Sequence, residues 1–196
     1  MHELAHGLAA LATGGGFERL VVAADGSGLA YTHGGWRLVI VPAGYLGAAL
    51  FAGLLIVLGS SATASRWALA VVGVGTSLLA LRYGLPSLLS AESLGGLLAV
   101  VTGVGLGVAF VAIALRAKTP WITFTVHLVA IEVGLTALAD LGTLVGLSRG
   151  TSATATDAVA MAEMTLLPAL FWALLWVTVA AAILGAAIRW AWFTER

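Results

Sequence analysis

The sequence predicts an all-α integral membrane protein: five full transmembrane helices, an N-terminal partial helix and a short β-hairpin behind it. Three observations carry that prediction. Of 196 residues, 61% are hydrophobic and only 9% charged, where soluble domains carry about 25% charged residues. Mean hydropathy is +1.07. Five apolar stretches, near 37–59, 64–83, 93–115, 120–146 and 161–188, each reach the roughly 20 residues that a helix needs to cross a hydrocarbon core. So little polar material cannot coat a chain of this size in water, but a lipid bilayer accepts an apolar exterior. A single membrane-embedded unit is expected over 1–196, with a partial helix at 1–13, a hairpin region at 17–35 and a helical core at 37–188.

Taken in order, "HELAHGLAAL" reads as the end of a helix stopped by "TGGG", a strong terminator. "FERLVVAADGSGLAYTHGG" follows, with β-branched and aromatic residues around Asp-Gly-Ser-Gly, which reads as a hairpin. Open strand edges cannot face lipid, so the hairpin belongs at the interface or under a cover of helices or a bound extended peptide. The helices after it are separated by the polar breaks "SSATAS", "YGLPSLLSAES", "RAKTP" and "LSRGTSATATD". Small residues three or four apart in "GYLGAALFAG" and "GVGLGVAF" suit close helix packing. Trp36, Trp67, Trp121, Trp190 and Trp192 lie near segment ends, where interfacial anchors sit. Lys and Arg divide almost evenly between the two sides, so they set no orientation.

Net charge is zero and no basic stripe is present, which gives no footing for nucleic acid. With no cysteine, disulfides and thiolate sites are excluded. The chemistry must come from few residues. His2-Glu3-x-x-His6 places two imidazoles one helical turn apart on one face. That spacing lets both reach one Zn2+, with Glu3 placed to take a proton from an activated water. A third protein ligand is then required. Helix depth favours Asp140, which lies as far from its segment end as the motif does from its own; Asp157, in the loop before the last segment, is the rival, with an N-cap as its plain alternative role. Glu132 and Thr136 share a helix face with Asp140, as supporting partners or as a buried hydrogen-bonded pair. His127 lies deeper in the same segment, and His33 closes the hairpin as an exposed turn residue or a substrate-side hydrogen bonder. Ionisable residues in a span are functional candidates in their own right. A transporter or proton-path protein using His127, Glu132 and Asp140 is therefore the competing reading.

An HExxH at the membrane, a hairpin after it and a later intramembrane Asp together resemble the site-2 protease family of intramembrane zinc metalloproteases, in its compact bacterial branch without a PDZ insertion. "HELAHGLAALATGGGFERLVVAADGSGLAY", "VPAGYLGAALFAGLL" and "TDAVAMAEMTLLPALFWALLW" carry the likeness over nearly the whole chain. The resemblance implies zinc on His2 and His6, catalysis by Glu3, a membrane-protein substrate presented as an added strand to the hairpin, and a place in a bacterial cell membrane as a multi-pass protein. The family's third ligand is an Asp in a Leu-Asp-Gly element preceded by Asn and Pro; here "LADLG" stands instead, without that pair. Members carry an apolar run before HExxH, whereas only Met1 precedes it here. The helix from His2 to Thr13 is about 18 Å long, short of a spanning length, so a later-placed translation start or a truncated chain is expected. A protease-like scaffold without catalysis is the third reading.

Overall fold

The computed structural model describes residues 1–149 and 156–194. Most of the predicted break between the fourth and fifth spans, and Arg196, lie outside the described residues. The order is α1 (His2–Ala12), β1 (Gly16–Val22), β2 (Gly28–His33), α2 (Arg37–Gly59), α3 (Ala62–Leu79), α4 (Ser93–Arg116), α5 (Thr119–Arg149), α6 (Asp157–Thr165) and α7 (Ala169–Thr194). Helix α3 runs on through a π turn at Ala80–Gly84 and a 3-10 turn at Leu85–Leu89. Among the described residues, five helical stretches, α2, α3 with the turns after it, α4, α5 and α7, are long and apolar enough to cross a membrane.

Helix α1 ends where Gly14 takes φ +82°, a left-handed conformation that glycine adopts without steric cost. The chain then forms an antiparallel hairpin in which Gly16 pairs with His33 and Val22 with Gly28, with a register shift between Phe17 and Arg19. Its turn is closed by Asp25, whose carboxylate accepts hydrogen bonds from the Ser27 backbone N–H at 3.0 Å and hydroxyl at 2.7 Å. The hairpin is not left open to lipid. β2 packs on α1 and β1 on α4, while Phe17 stacks on Tyr83 at 3.9 Å between ring centroids.

Within a bilayer, lipid tails are as apolar as leucine, so close packing rather than apolar burial holds helices together. Two packed clusters do this. Val41, Tyr45 and Ala49 of α2 meet Leu141 and Leu144 of α5, Ala158 and Met161 of α6, and Ala173, Trp176 and Ala180 of α7. Nearer the other end of α2, Leu55 meets Ala68, Leu69, Ala114, Ile122, Val126 and Ala130.

The fifth predicted span requires correction. Residues 161–188 are not one helix: α6 stops at Thr165, Leu166 takes φ 62° as its left-handed cap, and α7 begins at Ala169. Pro168 explains the break, because it lacks the N–H that a continuous helix would need there. Thr156 caps α6, its hydroxyl accepting a hydrogen bond from the Val159 N–H at 3.3 Å. The short helix therefore starts at Asp157, beside α2.

Candidate metal centre

His2 and His6 lie on one face of α1, their Nε2 atoms 2.9 Å apart. His6 is oriented from behind: its Nδ1 sits 2.7 Å from the carbonyl oxygen of Ile40 in the first turns of α2. A carbonyl can only accept, so Nδ1 carries the proton, and in the neutral ring Nε2 keeps its lone pair for a ligand. The Asp157 carboxylate closes the group, with Oδ2 3.5 Å from Nε2 of both His2 and His6. Among the described residues, these three form the one cluster of at least three His, Cys, Asp or Glu side chains whose ligand atoms lie within 4.8 Å of one another. Their side chains are 23%, 13% and 28% exposed for His2, His6 and Asp157, so the cluster is partly enclosed by the surrounding helices.

The donor set fits a tetrahedral ion. Bonds of 2.0–2.2 Å to imidazole nitrogen and carboxylate oxygen imply ligand-to-ligand edges of about 3.3–3.6 Å. The two edges to Asp157 match, and the His–His edge is a few tenths of an ångström short. Helix α2 leaves the necessary space. A Cβ added at Gly44 would overlap His6 Nε2 and lie 2.5 Å from His2 Nε2, so any other residue there would fill the position between the nitrogens. Tyr45, the next residue, packs its ring edge-on against His2 at 4.4 Å and stacks on Trp176 at 5.5 Å.

Charge within the cluster is mutually adjusted. Burial pushes the Asp157 carboxyl up, but contacts with His2 and His6 outweigh it and hold the group down at about 2. Burial likewise pushes the His6 imidazole down, and Asp157 more than offsets this, leaving His6 raised. Glu3 stands beside the cluster on α1. Its Oε2 accepts a hydrogen bond of 2.8 Å from the backbone N–H of Ala30 on β2.

The structure brings Asp157, and not Asp140, to the two histidines. Asp140 is exposed on α5 and lies outside the ligand cluster. Helix depth matches Asp140 to the motif, but the residue before the last span, Asp157, opens a separate short helix, α6, and reaches His2 and His6 of α1. The N-cap alternative for Asp157 is also corrected: Thr156 does the capping. Glu132 and Thr136 are exposed on α5, so they are not a buried pair. His127 donates from Nδ1 to the Thr123 carbonyl at 2.9 Å and sits against Gly59, about 22 Å along α2 from Gly44. His33 pairs with Glu18 at 2.9 Å on the exposed face of the hairpin. Gly44, Tyr45, the Ile40 carbonyl and the Ala30 N–H were not singled out from sequence. The first two lie in a segment whose small residues read as packing, and backbone groups carry no sequence signal.

Fold and donor set together describe a multi-pass membrane protein with one three-residue cluster able to hold a metal ion. Residues 1–187 match the family described as Peptidase M50B-like, and the chain belongs to that family, a branch of the site-2 metalloproteases with no PDZ domain indicated. No curated protein and no solved structure gives a match.

Proposed function

We propose that this chain is a zinc metalloprotease that hydrolyses peptide bonds in or next to transmembrane segments of other membrane proteins, in a bacterial cell membrane. The observation that carries the reading is the convergence of His2, His6 and Asp157 around the gap left by Gly44. These three side chains would hold the ion, with His6 locked in its tautomer by Ile40. The chemistry that a bound zinc supplies is Lewis-acid activation of water and of a peptide carbonyl.

The remaining steps belong to the protein. Glu3 takes the proton of the attacking water and returns it to the leaving amine nitrogen. The Ala30 N–H engages Oε2 and fixes the carboxylate, leaving Oε1 free for that proton. Carboxylates accept such hydrogen bonds strongly, so β2 serves as the rest that aims the base. The transport reading has less support, because its three residues do not converge. His127 is packed against Gly59, while Glu132 and Asp140 face outward on α5.

The test is zinc content together with cleavage of a reconstituted membrane-protein substrate. Glu3→Gln should keep zinc and lose cleavage. Loss of zinc in Glu3→Gln, or cleavage persisting in it, would contradict the role given to Glu3. A chain that binds zinc and never cleaves would support the inactive-scaffold reading.

A further inference from the structure

A two-stranded hairpin is marginally stable by itself, so contacts outside the sheet must fix β2 and the Ala30 N–H that holds Glu3. On one side these come from α1. On the other they come from the connection between α3 and α4. Ser87, in its 3-10 turn and fully buried, donates a hydrogen bond of 3.0 Å to the Leu20 carbonyl. Leu20 is the partner of Ala30 in the sheet register. This pair is therefore held from both sides, Leu20 by Ser87 and Ala30 by Glu3.

Glu92 holds the neighbouring pair, Arg19 and Tyr31. The Tyr31 hydroxyl donates to Glu92 Oε1 at 2.6 Å, and Arg19 Nη2 lies 3.5 Å from Oε2. The Arg19 guanidinium also sits 3.9 Å from the centre of the Tyr31 ring. Glu92 occupies the N-cap position of α4, yet its side chain makes no capping bond there. Both carboxylate oxygens turn to the hairpin instead. The register shift in β1 supplies the matching charge. Phe17 pairs with Thr32, so an unbroken register would set Glu18 opposite Tyr31; the shift passes over Glu18 and sets Arg19 there. An acid at that place would bring a second negative charge to Glu92, and Arg19 brings the opposite one.

We infer that Ser87 and Glu92 are positioning residues for Glu3: from the connection between α3 and α4 they fix the hairpin at Ala30 and at the pair beside it, and so hold the Glu3 carboxylate in place. They act through β2, Ser87 by way of Leu20 and Glu92 by way of Tyr31 and Arg19. The inference rests on the protease reading in one respect, that Glu3 is the base only under that reading. A displacement of the base by about 1 Å is enough to slow the reaction by one to two orders of magnitude, so small movements of β2 would be felt in the rate.

Two readouts on the full chain in phosphatidylcholine nanodiscs test this. One is hydrogen–deuterium exchange of the Ala30 amide, followed by NMR; the other is kcat and KM on a reconstituted membrane-protein substrate. Ser87→Ala, Tyr31→Phe and Glu92→Ala should each exchange at Ala30 at least about tenfold faster than the wild type, the mark of a local opening. Each should lose about tenfold in kcat, with KM within about twofold and zinc content unchanged. Glu92→Gln keeps an acceptor for the Tyr31 hydroxyl and should stay within about threefold of the wild type in both readouts. Glu18→Gln removes a charge from the exposed face of the same hairpin and, as the control, should change neither. Wild-type exchange at Ala30 in the first three variants, faster exchange with an unchanged kcat, or equal losses in Glu18→Gln would each overturn the inference. A wild-type chain that never cleaves would defeat the protease reading instead, and exchange at Ala30 would still decide whether Ser87 and Glu92 hold the Glu3 contact.

Discussion

The Glu3 carboxylate accepts a hydrogen bond from the Ala30 backbone N–H at 2.8 Å, joining the helix of the metal-binding motif to the outer edge of the hairpin. Ala30 is paired with Leu20 in the sheet register, so an N–H that reaches Glu3 points away from β1. That N–H is taken up by Glu3, so the outer edge of β2 at Ala30 is tied to the base on α1.

Gly28 tests how closely the base is aimed. A Cβ there would lie 2.8 Å from Glu3 Cγ, too near for the present rotamer. Gly28→Ala should lower kcat by about tenfold or more, the scale of a misplaced catalytic group, while zinc content stays at the wild-type level. Kinetics and metal analysis on one preparation check this. An unchanged kcat would mean that Glu3 does not act from the position held by Ala30.

Gly44→Ala separates helix stability from the metal. Alanine in a helix interior is favoured over glycine by about 1 kcal/mol, so propensity alone predicts a protein at least as stable. The added Cβ would nevertheless occupy the gap between the two Nε2 atoms. Zinc affinity should fall at least a hundredfold while the helical circular-dichroism signal is retained. Wild-type affinity in Gly44→Ala would move the metal away from this gap.

Thr156→Ala should loosen α6. Loss of an N-cap costs about 1 kcal/mol, and Asp157 is the next residue, so disorder in the first turn would be felt as weaker ligation. Zinc affinity should drop about fivefold, the equivalent of that energy, measured by competition with a chelator. Thr156→Ser keeps a capping hydroxyl and should restore the wild-type value.

Acid should release the metal, with the histidines setting the window. A ligand must be deprotonated to bind. Burial pushes the His6 imidazole down, but Asp157 outweighs it and leaves His6 above the ordinary imidazole value of 6.5, so proton competition begins above that pH and strengthens as pH falls. Each competing imidazole contributes up to about tenfold in affinity per pH unit. Asp157, held at about 2 against the usual carboxylate value of 3.8, remains a carboxylate throughout this window. Its lowered pKa gives the folded state stability that is present above its ordinary range and lost as pH falls through about 2. Zinc affinity measured from pH 8 to pH 5 should fall monotonically, and a flat profile would exclude His6 as a ligand.

The membrane class, the hairpin and the first two donors are legible in sequence because each depends on local pattern. Apolar run length marks the spans, Asp-Gly-Ser-Gly marks the turn, and the four-residue spacing of His2 and His6 survives any tertiary arrangement. Asp157 is harder to read. Its approach to α1 depends on a break at Leu166–Pro168 within an apolar run, and on a cap at Thr156 that frees its side chain. Pro168 removes a helical N–H, yet a stretch this long and apolar reads as one span. Helix depth then pointed to Asp140. Gly44 was read as a packing residue, because the void it protects lies between residues of another helix.

The most direct test of the central claim is zinc stoichiometry of the purified chain beside Asp157→Ala and Asp140→Ala. The proposed centre requires near-stoichiometric zinc in the wild type, little in Asp157→Ala, and a wild-type amount in Asp140→Ala. Zinc retained without Asp157, or lost without Asp140, would contradict it.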